Sequence, residues 1–189
     1  MGHLYIPAFG MYLHLWGGLI IMIIGLIQIL PLLRTEKLFI LHRIIGTMVC
    51  FISILTSIGG NIFIYTTGTV GGINMDIAFS IYGWLLFIFS LMAYIRARTN
   101  NRQAHKDWAL RLWALIYASL FYRISYFMLS LCGYHVTNSS DFFRPIDELL
   151  DWWFFLVPLF VMEIYIRLNN YRRNKIVEYT ILYSLERNT

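Results

Sequence analysis

The sequence predicts an all-α integral membrane bundle of five transmembrane helices, and three observations carry that reading. Hydrophobic residues make up 59% of the 189 residues and charged residues only 13%, where a soluble domain would have about 45–50% and about 25%. Five separate blocks reach the roughly 20 mostly apolar residues that a helix needs to cross a bilayer. The basic residues are sorted to alternate connections, as membrane loops are. Disorder, a disulfide scaffold and an ordinary soluble enzyme are excluded at this level. Cys50 and Cys132 lie in different apolar runs, which suggests neither a disulfide framework nor a thiolate metal site.

The first block, Ala8 to Leu33, is too long for a signal peptide and has no small-residue cleavage site. The tetrapeptide Arg34-Thr35-Glu36-Lys37 joins it to the second block, Leu38 to Ile62, and predicts a tight antiparallel hairpin. Gly59-Gly60 through Gly71-Gly72 reads as a break, too rich in glycine to continue a helix. The third block is Ile77 to Ile95, followed by a basic polar stretch from Arg96 to Asp107. The fourth runs from Ala109 to Leu131 and the fifth from Leu149 to Leu168. Pro145 suits the first turn of the last helix, and Pro158 inside it predicts a kink. Residues 1–168 thus form a transmembrane domain and 169–189 a charged tail. Solid apolar blocks without period-two polarity argue against a β-barrel.

Orientation follows from the Lys and Arg count. Thirteen of the fifteen fall on one side, leaving Arg123 and Arg144 elsewhere. The positive-inside rule places that side in the cytoplasm or its equivalent, with the N-terminus outside. Trp16, Trp152 and Trp153 then mark the outer interface, and Trp108 and Trp113 the inner one. The net charge of +5 is explained by this sidedness without nucleic acid as a partner; membrane lipid is the partner that the composition implies.

Ionisable groups near hydrocarbon are costly and are the natural functional candidates. His42-Arg43 opens the second helix and His105-Lys106 the fourth, at matched depth on the inner side. One turn on from each stands a small residue, Gly46 and Ala109, on the same helix face. Together they read as bis-histidine ligation of haem b, with His42 and His105 as ligands and Gly46 making room for the macrocycle. Arg43, Lys106 and Arg111 would neutralise the propionates, and Trp108 and Trp113 would wall the ring. The bland alternative is that both histidines bond loop carbonyls or pair with Glu36 or Asp107. His14, one to two turns into the first helix, is a third candidate metal ligand; His135 in the outer loop is its conceivable partner. Arg123 lies about 8 residues before the outer end of its helix, roughly 12 Å deep, and calls for a carboxylate or a watery cavity, with Asp151 the expected partner and Asp147 and Asp76 as alternatives. Glu163, at the inner end of the fifth helix, is expected to pair with Arg43, Lys106 or Arg111. Asn138-Ser139-Ser140 matches the glycosylation sequon on the outer side.

The run His14…Gly18…Gly25, His42-Arg43-Ile44-Ile45-Gly46, His105-Lys106-Asp107-Trp108-Ala109-Leu110-Arg111, Arg123 and Glu163 resembles the membrane family known as domain of unknown function 2306, over about residues 10 to 165. Lys106 and Ala109 replace the arginine and methionine usual there. The resemblance implies a multi-pass membrane protein and points at His14, His42, His105, Arg111, Arg123 and Glu163. Its histidine layout is similar to that of cytochrome b561-type haem bundles by analogy alone, and analogy of fold does not supply an activity. Three functional readings therefore stand. One is a haem b electron carrier serving a quinone or a partner redox subunit. Another is a small transporter or ligand-binding protein using the Arg123 and Glu163 clusters. The third is an accessory subunit of a larger complex or a homo-oligomer.

Overall fold

The computed structural model describes residues 5–30, 35–134, 142 and 144–186. Its helices are α1 (Tyr5–Ile29), α2 (Phe39–Thr67), α3 (Gly72–Arg98), α4 (Arg102–Leu131) and α5 (Pro145–Glu186), with a short 3-10 turn at Glu36–Leu38 before α2. All five helices are long and apolar enough to cross a membrane. No strand occurs among the described residues. His135 and Asn138-Ser139-Ser140 lie outside them.

Successive helices pack antiparallel, each against the next, and α3 also meets α5. The best-buried centre lies between α3, α4 and α5. There Leu86, Leu115, Phe154 and Phe155 are almost wholly enclosed. Phe79, Tyr82, Tyr122, Phe154 and Phe155 form a chain of tilted and edge-on rings, with Phe79 and Phe154 centroids 4.9 Å apart and Tyr82 and Phe154 5.1 Å apart. Those are the spacings that aromatic quadrupoles favour. Tyr82 Oη donates to the Leu115 carbonyl at 3.0 Å, so its polar end is satisfied inside the bundle.

The seam between α1 and α2 is built on small residues. A Cβ on Gly59 would stand 2.6 Å from the Gly10 carbonyl oxygen and 2.9 Å from Leu13 Cβ, and one on Gly60 would stand 2.7 Å from His14 Nδ1. Gly17 receives the Thr56 hydroxyl in the same way. In lipid, where apolar burial between helices gains little, such close backbone approach supplies the packing energy. It also corrects one expectation. Gly59-Gly60 does not end the second helix, because both are needed inside it to let α1 approach, and α2 runs on to Thr67. The break falls later, at Gly68 and Gly72, where φ is +76° and +66°. There the Asp76 carboxylate accepts from the Thr69 N–H at 2.6 Å and ties the turn to α3.

Two helices outrun their apolar blocks. Asn101 caps α4 by accepting from the Ala104 N–H at 3.1 Å, so the helix starts at Arg102 and includes His105 in its first turn. Pro145 is the first residue of α5, which passes through Pro158 and the charged exit to Glu186 without interruption. At about 1.5 Å per residue its 42 residues extend some 63 Å, about twice a hydrocarbon core of ~30 Å.

Candidate functional site

Four helix ends converge at the end of the bundle that carries the basic residues. The C-terminal turns of α1 and α3 and the N-terminal turns of α2 and α4 enclose a cavity of about 630 Å³, within the range usual for small-molecule sites. Its lining includes His42, Arg43 and Gly46 from α2, Arg96 and Arg98 from α3, Arg102 and His105 from α4, and Gln28 from α1. Phe39, Cys50, Ala93 and Tyr94 supply apolar and aromatic wall. Among the described residues no Asp or Glu lines it. Among the described residues none of its four arginines forms an ion pair.

His105 Nδ1 lies 2.9 Å from the Ala93 carbonyl. A carbonyl can only accept, so Nδ1 carries the proton and Nε2 of the neutral ring keeps its lone pair. His42 stands differently. Gln28 Nε2 lies 2.9 Å from His42 Nδ1 and also donates to the His42 backbone carbonyl at 2.9 Å. An amide nitrogen only donates, which makes His42 Nδ1, the nearer ring nitrogen, an acceptor. The carbonyl contact fixes which way the amide faces, and leaves Gln28 Oε1 buried without a hydrogen-bond partner. Arg96 Nε is likewise buried and unpartnered.

The structure therefore brings His42, His105, Arg43 and Gly46 to one cavity, and it separates others from it. Gly46 does not leave open space for a ring: Gln28 Nε2 lies 2.8 Å from where its Cβ would be. Arg111 is turned to α5, where Nη2 meets Glu163 Oε2 at 2.8 Å and its guanidinium lies 4.9 Å over the Trp108 ring. Trp108 packs on Phe89 and Trp113 on Tyr117, and neither tryptophan lines the cavity. His14, in the α1–α2 seam, has Nδ1 3.2 Å from the Thr56 carbonyl. No group of three or more His, Cys, Asp or Glu side chains suited to a metal occurs among the described residues.

The ion pairs divide in the same way. Glu163 does meet Arg111, together with Arg167 at 2.9 Å rather than Arg43 or Lys106. Arg123 and Asp151 do not meet. Arg123 is exposed and its Nη1 donates to the Ser119 carbonyl one turn back, at 2.8 Å. Asp151 is 2% exposed and accepts from Tyr122 Oη and Asn74 Nδ2, both at 3.3 Å. The physical reason is the helix face: Arg123 points away from α5, while its neighbour Tyr122 points toward it.

Asp151 belongs to a polar cluster at the opposite end that the sequence did not announce. Asp147, 1% exposed, accepts from Tyr126 Oη at 2.7 Å and from Tyr134 Oη, with Arg144 Nε 3.5 Å away. Trp152 Nε1 donates to Asn74 Oδ1 at 3.1 Å. Gln28, Arg96, Arg98 and Arg102 were missed as well. Gln28 alone carried a visible signal, as the one amide in the apolar run from Leu19 to Leu33. The three arginines read as loop charge.

A family model described as predicted membrane protein, DUF2306, matches residues 11–166. The chain belongs to that family. The match reaches into all five helices and includes every described residue that lines the cavity, so the convergence of helix ends described above lies within the family's domain. No curated protein and no solved structure matches the chain.

Proposed function

We propose that this DUF2306 member is a ligand-binding membrane protein whose cavity at the basic end takes an anionic group. The observation that carries this reading is four arginines and two histidines around one cavity with no carboxylate among its described residues. Positive charge that served stability alone would be paired, as Arg111 is with Glu163; charge left unpaired around a concave site attracts anions. Arginine suits this, since its planar fork donates two parallel hydrogen bonds to an oxyanion. The positive-inside rule places the mouth of the cavity on the cytoplasmic side. Calorimetric titration of the purified protein with octyl phosphate and octyl glucoside tests the reading. The phosphate should bind with measurable heat and the glucoside should not, and Arg96→Ala should weaken binding about tenfold, the lower end for a lost charge-assisted bond. Equal binding of the two amphiphiles would refute it.

A second reading rests on the His105 tautomer. A backbone carbonyl holding Nδ1–H is the usual support of a ligating imidazole, and His105 Nε2 is free of that bond. Haem b held there would supply one-electron chemistry, with the cavity's arginines placed to receive its propionates. His42 fits less well, because Gln28 Nε2 lies within 3.4 Å of both its ring nitrogens and would have to withdraw. Absorption spectra of the oxidised and reduced protein separate the two readings: a low-spin α-band lost in His105→Ala would favour haem, and a colourless preparation from haem-supplemented cells would dismiss it.

A further inference from the structure

The anion-binding reading leaves open whether the ligand comes from water or from the membrane, and the shape of the cavity narrows the choice. On α2 the lining runs from Phe39 to Cys50, some 16 Å at about 1.5 Å per residue. The headgroup layer is only about 5–8 Å thick on each side of a ~30 Å hydrocarbon core. The 29 residues of α2 span about 43 Å, so its first turn or so occupies the headgroup layer, and Gly46, Thr47 and Cys50 lie at hydrocarbon depth. Helix α3 runs the other way and repeats the gradient, with Arg98 and Asn100 at the mouth and Ala93 and Tyr94 inside. Charge is confined to the headgroup level, and the deeper wall carries none.

The deeper wall also opens sideways. Thr47 lies three, four and seven residues from Ile44, Phe51 and Ile40, on one face of α2, and all four are exposed. Thr47 Oγ1 donates to the Arg43 carbonyl of its own helix at 2.9 Å, which satisfies its hydroxyl and suits it to contact with hydrocarbon. On α3 Tyr94 follows the exposed Leu91 by three residues and precedes the exposed Arg98 by four. These are the faces that α2 and α3 turn to surrounding lipid, and Thr47 and Tyr94 join them to the cavity. A water-soluble anion needs only the mouth. A side opening at hydrocarbon depth serves a ligand that carries a chain.

Resting on the proposed anion-binding role, we infer that the ligand is an anionic glycerophospholipid of the leaflet at the basic end. Its phosphate sits at the mouth among Arg43, Arg98 and Arg102, and an acyl chain leaves between α2 and α3 past Thr47 and Tyr94. Basic pockets between helices on the cytoplasmic side of a membrane take anionic headgroups in this way.

The test uses the full chain in phosphatidylcholine nanodiscs that contain a trace of phosphatidylglycerol with a diazirine on one acyl chain. Phosphatidylcholine with the same chain is the control for lipid that merely surrounds the bundle. Mass spectrometry of cross-linked peptides should show phosphatidylglycerol enriched roughly tenfold over the control near Thr47 and Tyr94, the value of one charge-assisted hydrogen bond. Added octyl phosphate should remove the excess. Arg98→Gln combined with Arg102→Gln should lose it too, with helicity by circular dichroism unchanged; if that variant does not fold, the competition on the wild-type protein decides alone. Equal labelling by the two lipids, or an excess that octyl phosphate leaves in place, would overturn this inference. Inorganic phosphate displacing octyl phosphate at equal concentration would overturn it as well, since the chain would then contribute nothing. Anion binding survives each of these results if octyl phosphate still binds calorimetrically, with the ligand drawn from water. If octyl phosphate does not bind at all, both readings fall.

Discussion

Replacing Gly59 by Ala and, separately, Gly18 by Ala tests the packing between α1 and α2 with two chemically identical changes. At Gly59 the new methyl would stand 2.6 Å from the Gly10 carbonyl oxygen and 2.9 Å from Leu13 Cβ. Both obstacles are fixed by the α1 backbone, so only movement of the whole helix relieves them. At Gly18 nothing lies within 4 Å. Opening the seam by 0.5–1 Å forfeits about a quarter to a half of each dispersion contact across it, and overpacking of this kind costs about 1–3 kcal/mol. Each change also gains about 1 kcal/mol of helix propensity, less inside lipid, where the glycine backbone is not exposed to water. Gly59→Ala should therefore lose about 1–2 kcal/mol and Gly18→Ala should lose nothing or gain slightly. Gly17→Ala should fall between them, because its obstacle is the Thr56 hydroxyl, which a rotamer change can move. Reversible unfolding by sodium dodecyl sulfate in a mild detergent, followed by tryptophan fluorescence, reads these differences. Gly59→Ala as stable as Gly18→Ala would refute the close approach of α1 to α2.

Three further outcomes follow from the polar contacts. Asp147→Ala removes the acceptor of the Tyr126 and Tyr134 hydroxyls and should cost about 1–3 kcal/mol in all; Asp147→Asn, which keeps an acceptor, should cost less in the same unfolding assay. A double-mutant cycle on Arg111 and Glu163 should give a favourable coupling of about 0.2–1 kcal/mol, because both side chains are partly exposed, and an unfavourable coupling would contradict the pairing. Arg123→Leu should leave stability unchanged or raise it, since the guanidinium holds only a carbonyl of its own helix, and a loss of more than about 2 kcal/mol would reveal a partner outside the bundle. Orientation is read by impermeant thiol labelling of single cysteines in intact cells: Ser139 should react and Asn100 should not.

The five helices were legible because hydropathy in a membrane protein records length directly, and each apolar block marked one helix. The ends were less legible. Apolar content gives no account of Asn101 as a cap or of Asp76 tying the turn after Gly68, so α3 and α4 began earlier than their blocks. Gly59-Gly60 misled because one residue type serves both turns and close packing, and only the neighbour, α1, decides between them. For the site, matched depth placed His42 and His105 together, since depth is set by position along a helix. What position along a helix does not give is its rotation. Arg123 and Asp151 lie at similar depth, yet Tyr122 rather than Arg123 faces α5. Arg111 looked like a member of the cavity for the same reason, and its face turns it to Glu163 instead.

The two ends of the bundle treat charge in opposite ways, and the contrast locates function. At one end Asp147 and Asp151 are buried, and each accepts from tyrosine or asparagine side chains supplied by the surrounding helices. That is how a buried carboxylate is made tolerable, and it fixes how α3, α4 and α5 pack. At the other end the contacts outside the cavity are equally complete: Asp107 accepts from Gln103 and Asn170, and Glu163 joins Arg111 to Arg167. Around the cavity the carboxylates are missing: among the described residues four arginines line it and no Asp or Glu does. A sequence that gathers four arginines without a described carboxylate around one cavity is sacrificing stability at that place. Local departures of that kind are expected where a bound group supplies what the chain omits, and here the omission has a sign. It lacks negative charge.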